Sequence, residues 1–157
     1  MAHRNVERVA RVLEAVDPEI IIRELDASTR TAGDAAGALG CEVGAIANSL
    51  VFMTGTATLL VMTSGAHRVD LDLVSGSLGV PPLRRATPDE VRAATGQPIG
   101  GVAPVGHPSP IRTLVDESLA AYETIWAAAG TPHAVFATTY RQLLAITGGR
   151  PIRVTAA

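Results

Sequence analysis

The stretch Ser49-Leu50-Val51-Phe52-Met53-Thr54-Gly55-Thr56-Ala57-Thr58-Leu59-Leu60-Val61-Met62-Thr63 decides the fold. Two runs rich in β-formers flank a short polar link containing glycine, the signature of a β-hairpin. Neither run alternates apolar with polar residues. Both are nearly continuous in hydrophobicity, so the hairpin is expected to be covered on both faces, as in a barrel or a helix-wrapped sheet. The polar link interrupts the apolar run, which therefore cannot span a bilayer.

Outward from the hairpin, periodicity and capping signals assign the remaining elements. Val6, Val9, Val12, Leu13 and Val16 mark one face of a helix over residues 5–16, stopped by Asp17-Pro18. Ile20-Ile21-Ile22-Arg23-Glu24-Leu25 reads as a buried strand because β-branched residues dominate it. Thr31 with Asp34 forms a capping box for a helix through Leu39, closed by Gly40. A helix over 70–78 closed by Gly79, a short strand over 83–86 and a helix from Thr87-Pro88 to Thr95 follow. Strands are expected over 113–116, 124–129 and 134–137, then a helix capped by Thr138 or Thr139 through Thr147, and an edge strand over 152–155. Helices and strands do not alternate regularly, which disfavours a doubly wound sheet. The expectation is one mixed α/β (α+β) domain over residues 1–157, with a largely antiparallel β-barrel flanked by helices.

Composition narrows the function classes. The formal charge of -2 and an aromatic fraction of 3% argue against a broadly basic, base-stacking nucleic-acid surface. All 13 basic residues are arginine, which excludes Schiff-base chemistry and a Walker phosphate loop. Cys41 is the lone cysteine and has no basic neighbour in sequence, so it reads as a small apolar filler. It rules out an internal disulfide and fits a reducing compartment; with no signal-like apolar segment, a cytoplasmic location is expected. His3, His67, His107 and His133 form no close ligand pair, so neither a metal nor another cofactor is expected.

What remains is a set of loops with polar residues beside chain breakers. Residues 96–110 hold four glycines and four prolines, too many for a helix or a central strand. Gly100-Gly101 allows positive φ and close approach of a ligand, while Pro104, Pro108 and Pro110 restrict the backbone. Such a loop can offer bare amide N–H groups to an anion or a polarised carbonyl. The same composition also fits a rigid surface connection. His67-Arg68 and Gly130-Thr131-Pro132-His133 are the other two such loops. Asp116 is placed to orient a histidine or a hydroxyl, or to cap a helix starting at Glu117.

Four motifs in order carry a family resemblance: Ile46-Ala47-Asn48-Ser49-Leu50-Val51-Phe52, Gly100-Gly101-Val102-Ala103-Pro104, Val115-Asp116-Glu117-Ser118-Leu119 and Ala129-Gly130-Thr131. Together they resemble the YbaK/prolyl-tRNA-synthetase editing-domain family, over about residues 31–149. The resemblance implies a free-standing deacylase hydrolysing the ester of mischarged tRNA, with a small amino acid on tRNA-Pro or a related tRNA. Gly100, Gly101 and Pro104 would then belong to the family's GxxxP loop, whose backbone positions the ester and the attacking water. His133, Gly130, Thr131, Asp116, His107 and Arg68 are the implied substrate-binding residues. Arg84 and Arg85 are candidates for acceptor-stem phosphates. The implied partner is the acceptor end of tRNA, with an aminoacyl-tRNA synthetase as a further candidate; DNA and membranes are not expected partners.

One position departs from the family pattern. Many members carry lysine where this chain has Asn48, which keeps hydrogen-bonding capacity but loses the charge. The consequence is an altered amino-acid specificity, compensation by an arginine such as Arg68 or Arg112, or loss of catalysis. The alternative to a deacylase is therefore a non-catalytic module that holds an aminoacylated end, a nucleotide or a synthetase. A third reading is an unrelated small-molecule hydrolase on the same scaffold.

Overall fold

The computed structural model describes residues 3–26, 29 and 31–156. In chain order the elements are α1 (Arg4–Val16), β1 (Ile22–Glu24), α2 (Ala32–Leu39), β2 (Ile46–Thr54), β3 (Ala57–Ser64), α3 (Leu71–Leu78), β4 (Leu83–Arg85), α4 (Pro88–Thr95), β5 (Arg112–Asp116), β6 (Ile125–Ala128), β7 (Ala134–Thr138), α5 (Tyr140–Thr147) and β8 (Arg150–Ile152). Short 3-10 turns at Val43–Ala45 and Glu117–Ala121 lead into β2 and out of β5. The strands form one mixed sheet in the order β1-β7-β6-β2-β3-β5-β8, with β4 also paired to β2. No helix among the described residues is long and apolar enough to cross a membrane.

The hairpin forms as its sequence requires. Thr54 pairs with Ala57 across a two-residue turn, and Gly55 takes φ 62, which a side chain would oppose. Its unbroken hydrophobicity has a direct cause. Leu60 and Met62 of β3 join a core with Val6, Val9 and Leu13 of α1, Phe136 of β7 and Leu143 of α5. Leu59 and Val61, alternating with them, face the opposite side and pack with Phe52, Val74 of α3 and Leu114. Thr31, Thr87 and Thr139 cap α2, α4 and α5 as expected, and Asp70, expected as the first residue of α3, is its cap; all four accept from the N–H three residues on, whereas α1 follows His3, whose Nδ1 accepts from Asn5 N. At α4 the capping box also holds Arg84, which donates to both Glu90 oxygens at 2.8 Å. That bond holds the Glu90 carboxyl down at about 2.

Three expectations are corrected. The sheet is not closed into a barrel: β1 and β8 end it on opposite sides and do not pair with each other. Both are three residues long, too short to supply the continuous stagger that closure demands, and helices cover the faces instead. The expected pairing holds: β1–β7, β2–β3, β2–β4 and β6–β7 are antiparallel and make up most of the sheet, with β2–β6, β3–β5 and β5–β8 parallel. Residues 20–25 give only the short edge strand β1, with Ile21 78% exposed. β-branched residues signal extended backbone but not what will cover it. The last strand starts at Arg150 rather than Ile152, and Pro151 is accommodated because β8 is an edge.

Candidate functional site

The site follows from how β2 shares its edges. β3 pairs with β2 over its length, from Ala47 to Thr54. On the other edge β6 covers only Ile46 and Ala47, and β4 takes over at Phe52. Between them the sheet is split. Gly65 donates to Ile46 O, so even-numbered residues of β2 point their main-chain groups at β3. Ala86 donates to Val51 O, so odd-numbered residues point the other way. The N–H and C=O of Ser49 therefore face the split, where no strand takes them.

A cavity of about 230 Å³ occupies that split. Ala47, Asn48, Ser49, Leu50 and Val51 form its floor, with Thr31 and Ala35 of the α2 region, Trp126, Gly100, Val102 and Arg85 among its walls. Asn48 is half-buried beside Thr63, its cross-strand partner. Ser49 Oγ donates to Met62 Sδ at 3.2 Å. Arg85 is exposed, its guanidinium 5.9 Å from the Phe52 ring centre. It is the only ionisable side chain on the cavity wall among the described residues.

The Gly/Pro loop supplies the opposite wall, and half of it is interior rather than a surface connection. Gln97, Val102, Ala103 and Val105 are buried, while Pro108, Ser109 and Pro110 are exposed. Gly100 takes φ 86. Gly101 does not need positive φ; it needs room, because a Cβ there would lie 2.5 Å from the Thr131 carbonyl carbon and 2.6 Å from Pro132 N. Gly101 N donates to Pro98 O, and Ala103 N donates to Gln97 Oε1 at 2.6 Å. The loop amides left without a protein partner among the described residues include those of Gly100 and Val102, both on the cavity wall.

The structure brings Asn48 and Gly100 together at this cavity, with Gly101 directly behind and Pro104 buried further along the loop. Pro132 reaches the cavity, but its neighbours serve the scaffold: Gly130 O accepts from Asn5 Nδ2, Thr131 lines a hollow beside α1, and His133 O accepts from Leu25 N. The His133 Nδ1 atom is buried without a hydrogen-bond partner among the described residues. His107 Nε2 donates to Ala103 O at 2.8 Å and the ring lies on the outer side of the loop, near Val12. Burial pushes its pKa below the usual histidine value, which favours the neutral ring that this bond uses. Arg68 is exposed beyond β3 and Arg112 lies by Pro108 and Pro110; neither lines the cavity, whereas Arg85 does.

Asp116 belongs to a separate cluster. Its carboxylate accepts from Ser64 N, Ser118 N, Ser118 Oγ and His67 Nδ1, at 2.8 to 3.0 Å. It caps the 3-10 turn and orients a histidine at once. Serine, histidine and aspartate meet here without making a triad, because Ser118 and Asp116 both address Nδ1 and the serine hydrogen already goes to Asp116. Burial pushes the Cys41 thiol up, away from the thiolate form.

Sequence reasoning did not single out the Ser49 main chain, Trp126 or Gln97. No sequence signal marks the first, since it depends on where β6 stops and β4 starts. A glutamine just after the α4 cap, inside an otherwise apolar Gly/Pro loop, was a readable hint for the last.

The comparisons bear on the whole chain. Residues 26–146 match the family described as the aminoacyl-tRNA editing domain. A crystal structure of a candidate trans-editing enzyme for prolyl tRNA synthetase superposes over 100% of both chains, with a TM-score of 0.94 and 44% identity. The uncharacterised protein YwhH of Bacillus subtilis is 29% identical over 78% of each chain. A proline–tRNA ligase of Xanthomonas campestris is 30% identical over 74% of this chain, which spans 21% of the ligase. The split sheet with its glycine-walled cavity is thus carried on a chain that belongs to the aminoacyl-tRNA editing domain family.

Proposed function

We propose that this protein is a trans-editing aminoacyl-tRNA deacylase, hydrolysing the ester of a small amino acid wrongly attached to tRNA-Pro or a related tRNA. The observation that carries this reading is the chemistry of the cavity: residues with unpartnered main-chain groups and Asn48 line it, and no carboxylate, imidazole or thiol does among the described residues. An aminoacyl ester is already activated, so water can attack it directly once it is oriented and the developing oxyanion has a donor. The Gly100 and Val102 N–H groups supply that donor. Asn48 and the Ser49 C=O hold the α-ammonium and the ribose end. The water oxygen bonds to the carbonyl carbon, and as the tetrahedral intermediate collapses the acyl–oxygen bond breaks and a proton of that water passes to the departing ribose oxygen, releasing free amino acid and tRNA.

The volume, about 230 Å³, suits a small side chain. Such a pocket rejects larger ones by size and separates close homologues by only about 1–3 kcal/mol per methylene. Arg85 is the cation for a terminal phosphate, in the role the missing family lysine would otherwise fill. Arg85→Gln should weaken tRNA binding and reduce the slope of log K against log salt by about one unit. An unchanged slope in a filter-binding titration would remove Arg85 from the interface.

The test of the activity is single-turnover hydrolysis of alanyl-, cysteinyl-, seryl- and threonyl-tRNA on proline and cognate acceptors. Clearance of one species well above buffer, lost in Asn48→Ala, supports the deacylase. Retained binding with no clearance at high protein concentration selects the recognition module. Turnover of simple esters without tRNA selects the small-molecule hydrolase.

A further inference from the structure

We infer that Gln97 is a positioning residue for the cavity: a buried amide clamp that sets the shape of the Gly100–Val105 wall without touching the ligand. The inference rests on the deacylase reading for its kinetic readout, though not for its structural one. Gln97 is 2% exposed and follows directly on Gly96, the α4 cap. Its own main chain is pinned first: Thr95 Oγ1 accepts from Gln97 N at 3.0 Å and lies 3.1 Å from Gln97 O. With the backbone held, the side-chain amide spans the loop. Oε1 accepts from Ala103 N at 2.6 Å and Nε2 donates to Val105 O at 3.2 Å.

Those two bonds hold residues on either side of Pro104 and immediately after Val102. Ala103 is fully buried, so no water can replace Gln97 on its N–H. The other end of the same peptide run is fixed by His107, which donates to Ala103 O. Pro104 cannot offer an N–H of its own, and the loop's own main-chain bond, from Gly101 N to Pro98 O, leaves residues 103–105 to be held by side chains. A side chain with one donor and one acceptor at fixed separation is what it lacks, and glutamine is that group. The wall this fixes carries the Gly100 and Val102 amides, so the clamp governs where an oxyanion donor stands.

The test is Gln97→Glu, with Gln97→Met as the near-isosteric variant that makes neither bond. A protonated carboxyl can accept from Ala103 N and donate to Val105 O, as the amide does. An ionised one turns an acceptor toward Val105 O in a buried site, so burial and repulsion both raise its pKa. The charged or titratable groups near this loop include His107 and Arg8, Arg112 beside Pro108 and Pro110, and Arg85 on the cavity wall, and all are present in the wild type at each pH. Deacylation by Gln97→Glu relative to wild type should therefore be near unity at about pH 5 and fall at least about tenfold by about pH 8, mainly in kcat. Gln97→Met should be low throughout. In parallel, the Ala103 amide resonance should shift with the titration of the introduced carboxyl in Gln97→Glu and stay constant in wild type. Variants matching wild type at both ends of the range, or an Ala103 amide indifferent to the titration, would overturn the clamp. Should wild type clear no mischarged tRNA, the deacylase reading fails while the Ala103 amide still decides this one.

Discussion

Gly101→Ala is expected to lower single-turnover deacylation about 100-fold, the scale of a misplacement of order 1 Å at a reacting centre. The cause is contact between two backbones. The added methyl would sit 2.5 Å from the Thr131 carbonyl carbon and 2.8 Å from its Cα, and main chain cannot rotate away as a side-chain tip can. Either the Gly100–Val102 wall retreats from the 130–133 turn or the turn retreats from α1, against which Gly130 is itself packed. Overpacking of this kind costs about 1–3 kcal/mol, so the variant should still fold. Gly100→Ala makes the instructive comparison: space there is open, and only the positive φ opposes a side chain, at about 1–2 kcal/mol. A Gly101→Ala protein that clears mischarged tRNA at the wild-type rate would detach this loop from the chemistry.

Asp116→Ala should produce the largest loss of stability, about 3–5 kcal/mol, because it strands the partners of a buried carboxylate. The residue is 1% exposed and gathers the end of β3, the start of the 3-10 turn and His67. Ser64 N, in a residue 1% exposed, would be left without an acceptor where water has little access, and Ser118 N would lose its acceptor at a half-buried position. His67→Ala keeps the other three bonds and should cost about 1 kcal/mol. Urea unfolding of both variants checks the ranking. Equal midpoints for Asp116→Ala and wild type would show that the cluster does not hold these elements together. Since the cluster lies apart from the cavity, the folded fraction of Asp116→Asn should retain deacylation.

Much of the scaffold was legible because its signals are local. A capping box needs only Thr31 and Asp34, and a hairpin turn needs only Gly55 between two β-rich runs. The covering of both faces was legible too, since residues 59–62 offer no polar side to solvent. Barrel closure was not, because it depends on whether β1 and β8 meet, a question of three-dimensional reach. The burial of β1 failed for the same reason: Ile20-Ile21-Ile22 specifies extended backbone, not a neighbour.

The site divides along the same line. The sequence by itself determined that the chain lacks lysine and an internal disulfide, that residues 96–110 form a shaped loop, and that Asn48 and Gly100 lie in stretches resembling the editing family. Tertiary structure alone decided that Asn48 and Gly100 share a cavity, that Arg85 rather than Arg68 or Arg112 stands beside it, and that His107 turns to the outer side of the loop. It alone exposed the Ser49 main chain and enclosed Gln97. Caps and turns are written in residues three or four apart, whereas a split between strands is a property of pairings that join Ile46 to Trp126 and Phe52 to Arg85, and no local pattern encodes where one partner stops and the next begins.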